Sequence, residues 1–340
     1  MIRNYIKNTS ILALTCLQLS CNKEQLTEQP TEQDQNIKGN EFCLTDKINN
    51  ESTERKIDPW VEYDYNPTKI YPKSVRKIGL IFNILETAKT KKITDAQVQK
   101  QVDILNQNFK GEDPEIPFNL PLPFIRFGMS EPSGISFFVK KINRKTTRIK
   151  VWDANGNDYK LGDGIMGGNG NFYLNIWILD AISDPSLDDD EEITGFAINP
   201  GVDNSSSKSD FGVVTTREIF FYEKESHITY KTHNRSKTLT HEVGHCLGLY
   251  HMTGVDSKFN EVNCGDDKVS DTPTQAYFHY DYLKYPYFDN CHGQNFNQMF
   301  MNYMDYTPHD VRCFFTNGQI NRMRYFFQKG KYNSELGTKK

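Results

Sequence analysis

One segment of eleven residues, 241–251, constrains this chain more than any other. It reads His-Glu-Val-Gly-His-Cys-Leu-Gly-Leu-Tyr-His. Residues four apart share a face of an α-helix, so His241 and His245 are expected to point toward one position. Gly248 can adopt a positive φ and end the helix, and the returning chain can then bring His251 to the same position. The sequence therefore predicts a helix and a sharp turn on which three imidazoles converge.

Three converging imidazoles suit a zinc ion that keeps one position open for water. Glu242 directly follows the first histidine, so its carboxylate is expected beside the metal without binding it. Zinc would lower the pKa of a bound water, and Glu242 would take the proton as general base. A chance match to all these positions is rare in a chain with 8 histidines. The segment thus predicts a zinc-dependent hydrolase.

Two later segments carry a family resemblance. Residues 301–306 read Met-Asn-Tyr-Met-Asp-Tyr, and residues 264–273 read Cys-Gly-Asp-Asp-Lys-Val-Ser-Asp-Thr-Pro. With residues 241–251, they resemble the pappalysin family of metzincin zinc metallopeptidases, over roughly residues 75–328. The resemblance implies hydrolysis of peptide bonds. It also implies that Met304 is the methionine beneath the zinc, in the Met-turn, and that Tyr306 lies close to the metal and supports the transition state.

The order of predicted elements favours an α/β (α+β) fold. Strands are predicted at residues 77–85, 123–127, 135–139 and 174–179. Helices are predicted from Thr94, over residues 235–249 and from Thr316. Thr94 and Thr316 are each followed three residues later by a glutamine, the spacing of a capping box. The resemblance implies a metzincin-like domain. Its upper subdomain would hold a twisted mixed sheet and the zinc helix, and its irregular lower subdomain would end in a C-terminal helix.

The first 21 residues have the pattern of an export signal. A positive start precedes a short apolar run, residues 11–19, which is too short to span a bilayer. A signal of the lipoprotein type would make Cys21 the lipidated residue, although Gln18 departs from the usual aliphatic residue. Plain secretion and an uncleaved segment are the alternatives. We therefore expect an exported protein, lipid-anchored at the bacterial envelope or cell surface, or otherwise secreted.

The rest of the chain divides at about residue 75. Residues 22–74 are mostly polar and predict a tether or pro-segment, and residues 75–335 would form the metallopeptidase domain. Cys43 lies in the predicted pro-segment. Some metzincin zymogens are kept latent by such a cysteine on the zinc, and Cys43 is a candidate for that role. Pairing with Cys313 and an idle thiol are the alternatives.

The resemblance implies two further features of the lower subdomain. One is a disulfide between Cys264 and Cys291, which export would permit. The other is a calcium ion bound by Asp267, by the Val269 carbonyl and by Thr272. The alternative to the ion is an Asp-rich turn that ends at Pro273. Cys246 on the zinc helix is expected to be a small buried side chain.

The remaining features place limits on function. The net charge of −4 indicates neither a nucleic acid nor a strongly anionic membrane as partner. We expect a monomer that acts on proteins or peptides. A catalytically silent surface binding protein on a protease scaffold is the second hypothesis, and a zinc peptidase with glutamate as third ligand is the third. The other histidines have no ligand spacing and are expected at the surface or in loops; they are His227, His233, His279, His292 and His309.

Overall fold

The computed structural model of the protein describes residues 41–43, 45, 66, 68–72, 76–125, 132–154, 173–185, 192–197, 212–221, 236–254, 264–288, 291 and 298–329. All of these belong to one compact unit, Lys38–Lys340. The predicted signal sequence, with Cys21, lies outside the described residues. Within these ranges, no helix combines the length and the apolar character that crossing a membrane requires.

A mixed, mostly parallel sheet of six strands forms the scaffold. Its strands are β1 (Glu41–Cys43), β2 (Arg76–Glu86), β3 (Ile135–Thr146), β5 (Tyr173–Leu179), β7 (Glu192–Ala197) and β8 (Gly212–Thr216). The spatial order is β1-β7-β8-β5-β2-β3. Strand β7 runs antiparallel to β8, and β1 runs parallel to β7. Two short strands, β4 (Val151–Asp153) and β6 (Ala181–Ser183), pair separately. The predicted α/β architecture with a mixed sheet is confirmed.

Alternating side chains place apolar residues on both faces of the sheet. On β5, Ile176 and Ile178 enter the main core, whereas Trp177 and Leu179 enter a smaller core on the opposite face. Helix α1 (Asp95–Lys110) packs one apolar stripe on the main core. Its predicted capping box is present, since Gln97 N donates to Thr94 Oγ1 at 3.2 Å and Thr94 N donates to Gln97 Oε1 at 2.9 Å.

One predicted strand is wrong. Residues 123–125 of the segment predicted as a strand lie in a short helix, α3 (Leu122–Ile125), which follows α2 (Ile116–Asn119). Pro123 stands in the first turn of α3, where a missing N–H costs no helical hydrogen bond. A short apolar run does not distinguish a strand from a buried helical turn by its periodicity, which explains the error.

The predicted metal site lies between this sheet and an irregular C-terminal region. A 3₁₀ turn (Arg217–Phe220) and helix α4 (Thr238–Cys246) precede that region, and α5 (Asn317–Lys329) ends it. The region contains a disulfide between Cys264 and Cys291. The capping box of α5 is present, with Thr316 N donating to Gln319 Oε1 at 2.9 Å and Gln319 N to Thr316 Oγ1 at 3.1 Å. Gln319 also exchanges hydrogen bonds with Asn302, which ties α5 to the turn at residues 301–306.

Candidate metal centre

Helix α4 and the turn after it bring the three predicted histidines together. Gly248 has a φ of +92°, and a Cβ there would lie 2.4 Å from the Phe326 ring, so both the backbone and the available space require glycine. The Nε2 atom of His241 lies 3.2 Å from that of His245 and 3.1 Å from that of His251. The third Nε2–Nε2 distance, between His245 and His251, is 3.0 Å. All three side chains are buried.

The hydrogen bonds of these imidazoles orient their lone pairs. His241 Nδ1 lies 2.7 Å from the Tyr303 carbonyl oxygen, and His245 Nδ1 lies 2.9 Å from that of Leu249. A carbonyl oxygen only accepts, so Nδ1 carries the hydrogen in both rings and Nε2 presents a lone pair. Burial, followed by the neighbouring imidazoles, lowers the pKa of His241 well below its ordinary value, which keeps this ring neutral.

Lone pairs that face one another at this distance repel unless a cation lies between them. Zinc–nitrogen bonds of about 2.0–2.1 Å in a tetrahedral site separate the nitrogens by about 3.3–3.4 Å, close to the distances here. A backbone carbonyl behind a metal-ligating histidine is also the usual way in which the ring is held. The donor set and its geometry therefore fit zinc.

A residue pair from the N-terminal segment covers Glu242, which is fully buried. Glu242 Oε2 accepts hydrogen bonds from Thr45 Oγ1 at 3.1 Å and from Cys43 Sγ at 3.4 Å. Thr45 Oγ1 also accepts from the backbone N–H of Ala197 in β7, at 2.8 Å. Burial raises the pKa of Glu242 to about 7. The last residue of β1 and a residue just after it thus contact the carboxylate predicted as general base.

Cys43 also lies beside the three histidines. Its Sγ and one ring nitrogen from each histidine all lie within 4.8 Å of one another, and this is the only such group among the residues that the structure describes. Burial, followed by the Glu242 charge, raises the pKa of the Cys43 thiol well above its ordinary value. The thiol sulfur and the three imidazole nitrogens are four ligand atoms of the types that zinc binds in closed, four-coordinate sites.

Tyr306 lies beside His251, and Met304 lies against helix α4. The Tyr306 hydroxyl donates to the Cys43 carbonyl at 2.8 Å and lies 3.1 Å from His251 Nε2. Met304 is fully buried, and its Sδ lies 2.7 Å from the place that a Cβ on Gly244 would take. Gly244 stands on α4 between two of the histidines, so the methionine packs directly against that part of the helix.

A buried ion pair holds the start of α4 against the same turn. Lys237, which precedes α4, pairs with Asp113, and both side chains are fully buried. The Tyr303 hydroxyl donates to the same carboxylate at 2.5 Å. The Asp113 carboxylate therefore binds both Lys237, at the start of α4, and Tyr303. The Tyr303 carbonyl in turn orients His241. Nothing in the sequence indicates that Lys237, Asp113 and Tyr303 meet.

Removing the cation of this pair should be costly. Lys237→Met is expected to lower the free energy of unfolding by about 3–5 kcal/mol, because the Asp113 carboxylate stays buried without its partner. The control is Lys110→Met, which removes an exposed lysine from a 4.0 Å pair with the exposed Glu112 and should change stability by less than about 1 kcal/mol. Denaturant unfolding measures both. Equal effects would show that the buried pair contributes no more than a surface pair.

The residues predicted to bind calcium bind one another. Asp267 Oδ1 accepts from the Val269 N–H at 3.1 Å and from the Thr272 hydroxyl at 2.6 Å. Asp267 Oδ2 is buried and has no hydrogen bond to the described residues. Burial raises the pKa of Asp267 to about 7. These bonds agree with an Asp-rich turn, and Oδ2 is available to an ion, so calcium stays a prediction.

Other expectations need correction. Cys43, Cys246 and Cys313 are all buried and none of them forms a disulfide, so the alternative bridge between Cys43 and Cys313 is wrong. His279 and His309 lie in loops, as one of the two expectations had it, but both are buried, because each bonds a residue distant in the sequence. The remaining unassigned histidines, His227, His233 and His292, lie outside the described residues. Sequence reasoning also missed Thr45, whose contact with Glu242 spans 197 residues.

Comparison with known proteins gives consistent results. The family model of peptidase family M43, described as pregnancy-associated plasma protein-A, matches residues 168–328. An extracellular metalloprotease of Arthroderma gypseum is 27% identical over 257 residues, which cover 74% of this chain and 72% of that protein. An extracellular metalloprotease of Verticillium alfalfae is 44% identical over 98 residues, or 28% of this chain and 31% of its own length.

Solved structures of one bacterial protein share the fold. Mature mirolysin of Tannerella forsythia, in complex with a cleaved peptide, superposes with a TM-score of 0.64 at 27% identity, covering 78% of this chain and 97% of that one. A mutant of promirolysin from the same organism superposes with a TM-score of 0.68 at 24% identity, covering 87% of this chain and 96% of that one. The promirolysin likeness concerns the fold alone.

Proposed function

Since the chain belongs to the pappalysin family of metzincins and is a zinc metalloendopeptidase, we propose that His241, His245 and His251 hold its zinc and that Glu242 is its general base. The observation that carries the proposal is the set of three Nε2 atoms, 3.0–3.2 Å apart, on a helix that also carries Glu242. The carbonyls behind two of these rings support the assignment, since they leave the lone pairs facing one another.

The chain's own residues would divide the work of hydrolysis. Zinc, when bound, lowers the pKa of a water ligand from about 15.7 to about 7 and polarises a carbonyl oxygen. Glu242 accepts the proton of the attacking water at Oε2 and then delivers it to the nitrogen of the leaving amine. Tyr306 donates its hydroxyl hydrogen to the oxygen of the scissile carbonyl, as it does to the Cys43 carbonyl in this structure.

A metal test checks the first part of the proposal. The purified chain carrying Cys43→Ala should contain one zinc per molecule, and it should cleave a peptide library only while that zinc is present. A chelator should stop cleavage, and added zinc should restore it, because no residue of the site is lost with the metal. Cleavage that survives complete removal of zinc would contradict the assignment.

We also propose that residues 41–45 keep the full-length chain latent. In support, Cys43 Sγ lies beside the three histidines and bonds Glu242, so the thiol is placed to take the position that the catalytic water needs. Thr45 occupies the same carboxylate oxygen. Activation would then require residues 41–45 to leave the site.

The location of the protein is a separate proposal. The extracellular metalloproteases among its relatives support export. Lipidation of Cys21, the domain limits 1–21, 22–74 and 75–335, and the monomeric state rest on the sequence alone. Mass spectrometry of the mature N-terminus would test the lipid: an N-terminus that starts anywhere but at a diacylated Cys21 would exclude it.

Calcium is the second metal for which we propose a site. Asp267 Oδ2 would be its first ligand, with the Val269 carbonyl and Thr272 beside it. Thermal unfolding with and without calcium tests this. A shift that persists in Asp267→Asn would exclude the site.

The catalytically silent alternative is not favoured, because the three histidines and Glu242 are all in place.

A further inference from the structure

His279, in a loop, binds the carboxylate of Asp305, the residue before Tyr306. His279 is 5% exposed, and its backbone N–H donates to Asp305 Oδ1 at 3.0 Å. Its ring Nδ1 lies 2.6 Å from Asp305 Oδ2. A single residue therefore binds both oxygens of one carboxylate, which fixes that carboxylate in position and rotation.

Asp305 transmits this restraint to Tyr306, the next residue along the chain. Its Oδ1 also accepts from the Tyr306 backbone N–H at 2.8 Å, and its Oδ2 also accepts from Gln275 Nε2 at 3.0 Å. Asp305 is fully buried, and a buried carboxylate is stable only when such donors satisfy it. Loss of the His279 ring would remove one of four donors and release the backbone of Tyr306.

The same loop contacts the ring of Tyr306. Phe278, which precedes His279, stacks on Tyr306 with ring centroids 4.5 Å apart and an interplanar angle of 14°. Residues 278–279 thus hold the ring by stacking and the backbone through Asp305. Between these two contacts, the Tyr306 hydroxyl is directed toward His251 Nε2, 3.1 Å away.

The surroundings of His279 show which of its atoms matter. The ring stands edge-on to Tyr287, with centroids 5.2 Å apart, and to Phe300, at 6.5 Å. Its Nε2 is buried and has no hydrogen-bond partner among the described residues. The ring therefore supplies one N–H, at Nδ1, and fills apolar space with the rest. An asparagine amide can supply the same donor, whereas phenylalanine fills the space without one.

We propose that His279 is a positioning residue for hydrolysis: through Asp305 and together with Phe278, it holds the Tyr306 hydroxyl beside His251. The proposal rests on the proposed function only in its catalytic readout, because the contacts exist whatever Tyr306 does. Its effect belongs to kcat, since the hydroxyl is needed where charge develops in the transition state and contributes little to binding the ground state.

A double-mutant cycle tests the proposal in the zinc-loaded full chain carrying Cys43→Ala. His279→Phe should lower kcat about tenfold to a hundredfold with KM changed by less than about twofold, as expected for a displaced catalytic group. His279→Asn should recover most of the loss. Adding His279→Phe to Tyr306→Phe should cause little further loss, because the positioned group is already absent. Equal losses in both backgrounds, or no recovery with asparagine, would overturn the proposal.

A second readout works even if the chain proves inactive. In the full-length chain with Cys43 intact, Tyr306 holds the Cys43 carbonyl. His279→Phe and Tyr306→Phe should each speed alkylation of Cys43, measured by mass spectrometry of its peptide, and the double variant should be no faster than Tyr306→Phe. Unchanged alkylation in His279→Phe would overturn the positioning role by itself. Loss of zinc-dependent cleavage in every variant, with the alkylation pattern retained, would instead count against the proposed function.

Discussion

Replacing Glu242 with glutamine should lower kcat by about a thousandfold while the bound zinc stays unchanged. Glutamine keeps the size and the hydrogen-bonding reach of the side chain but cannot accept the proton of water, and a general base contributes about 10²–10⁴ to a rate. The three histidines do not depend on this carboxylate, since carbonyl oxygens orient two of them. Steady-state cleavage of a quenched fluorescent peptide and metal analysis of the same sample give the two quantities.

The matched control is Glu218→Gln, at an exposed position of the 3₁₀ turn, which should retain full activity. Both variants are made in the Cys43→Ala chain, so that the N-terminal segment affects them equally. A Glu242→Gln variant with full zinc and at least a tenth of the parent activity would remove Glu242 from the mechanism. Loss of zinc together with activity would show that the carboxylate supports the metal instead.

The Cys43→Ala substitution should turn an almost inactive full-length chain into an active one. Alanine removes the donor beside the three histidines and one hydrogen bond to Glu242 Oε2. We expect activity to rise by about two orders of magnitude, which corresponds to a preference of about 2.8 kcal/mol for the thiol-blocked state. The measurement compares initial rates of the zinc-loaded full-length chains before any proteolytic processing.

Thr45→Val distinguishes the contact of Thr45 with Glu242 from that of Cys43. It removes the hydroxyl on Glu242 but leaves Cys43 in place, so a smaller gain is expected than with Cys43→Ala. Cys246→Ala, at a cysteine that forms no disulfide and lies outside the group at the metal centre, is the control and should leave the chain latent. If Cys43→Ala is no more active than the unchanged chain, while removal of residues 1–74 activates both, Cys43 has no part in latency.

Local signals explain what the sequence could predict. The capping boxes at Thr94 and Thr316, the helix carrying His241 and His245, and the positive φ of Gly248 all depend on residues within one or two turns of each other. The helix at residues 235–249 was predicted too long at both ends, since α4 covers Thr238–Cys246. Local patterns fix the type of an element better than its ends.

Contacts between distant residues explain what could not be predicted. Glu242 meets Cys43 across 199 positions, and Lys237 meets Asp113 across 124. His279 is buried because Asp305, 26 residues later, needs its two donors. No periodicity links such residues, so a single sequence gives no reason to pair them. The family resemblance suggested Cys43, because its chemistry on zinc is general, but it carried no signal for Thr45 or for His279.

Strand β1 has a consequence for the handling of the protein. It covers the outer edge of β7, so its departure would uncover a row of backbone N–H and C=O groups on Glu192–Ala197. An open strand edge is adhesive toward any extended chain, including other copies of the same protein. The departure of β1 would therefore uncover the metal site and expose an aggregation-prone strand edge in one step. A latent chain could be stored at high concentration, whereas an activated one would have to be produced close to where it is used.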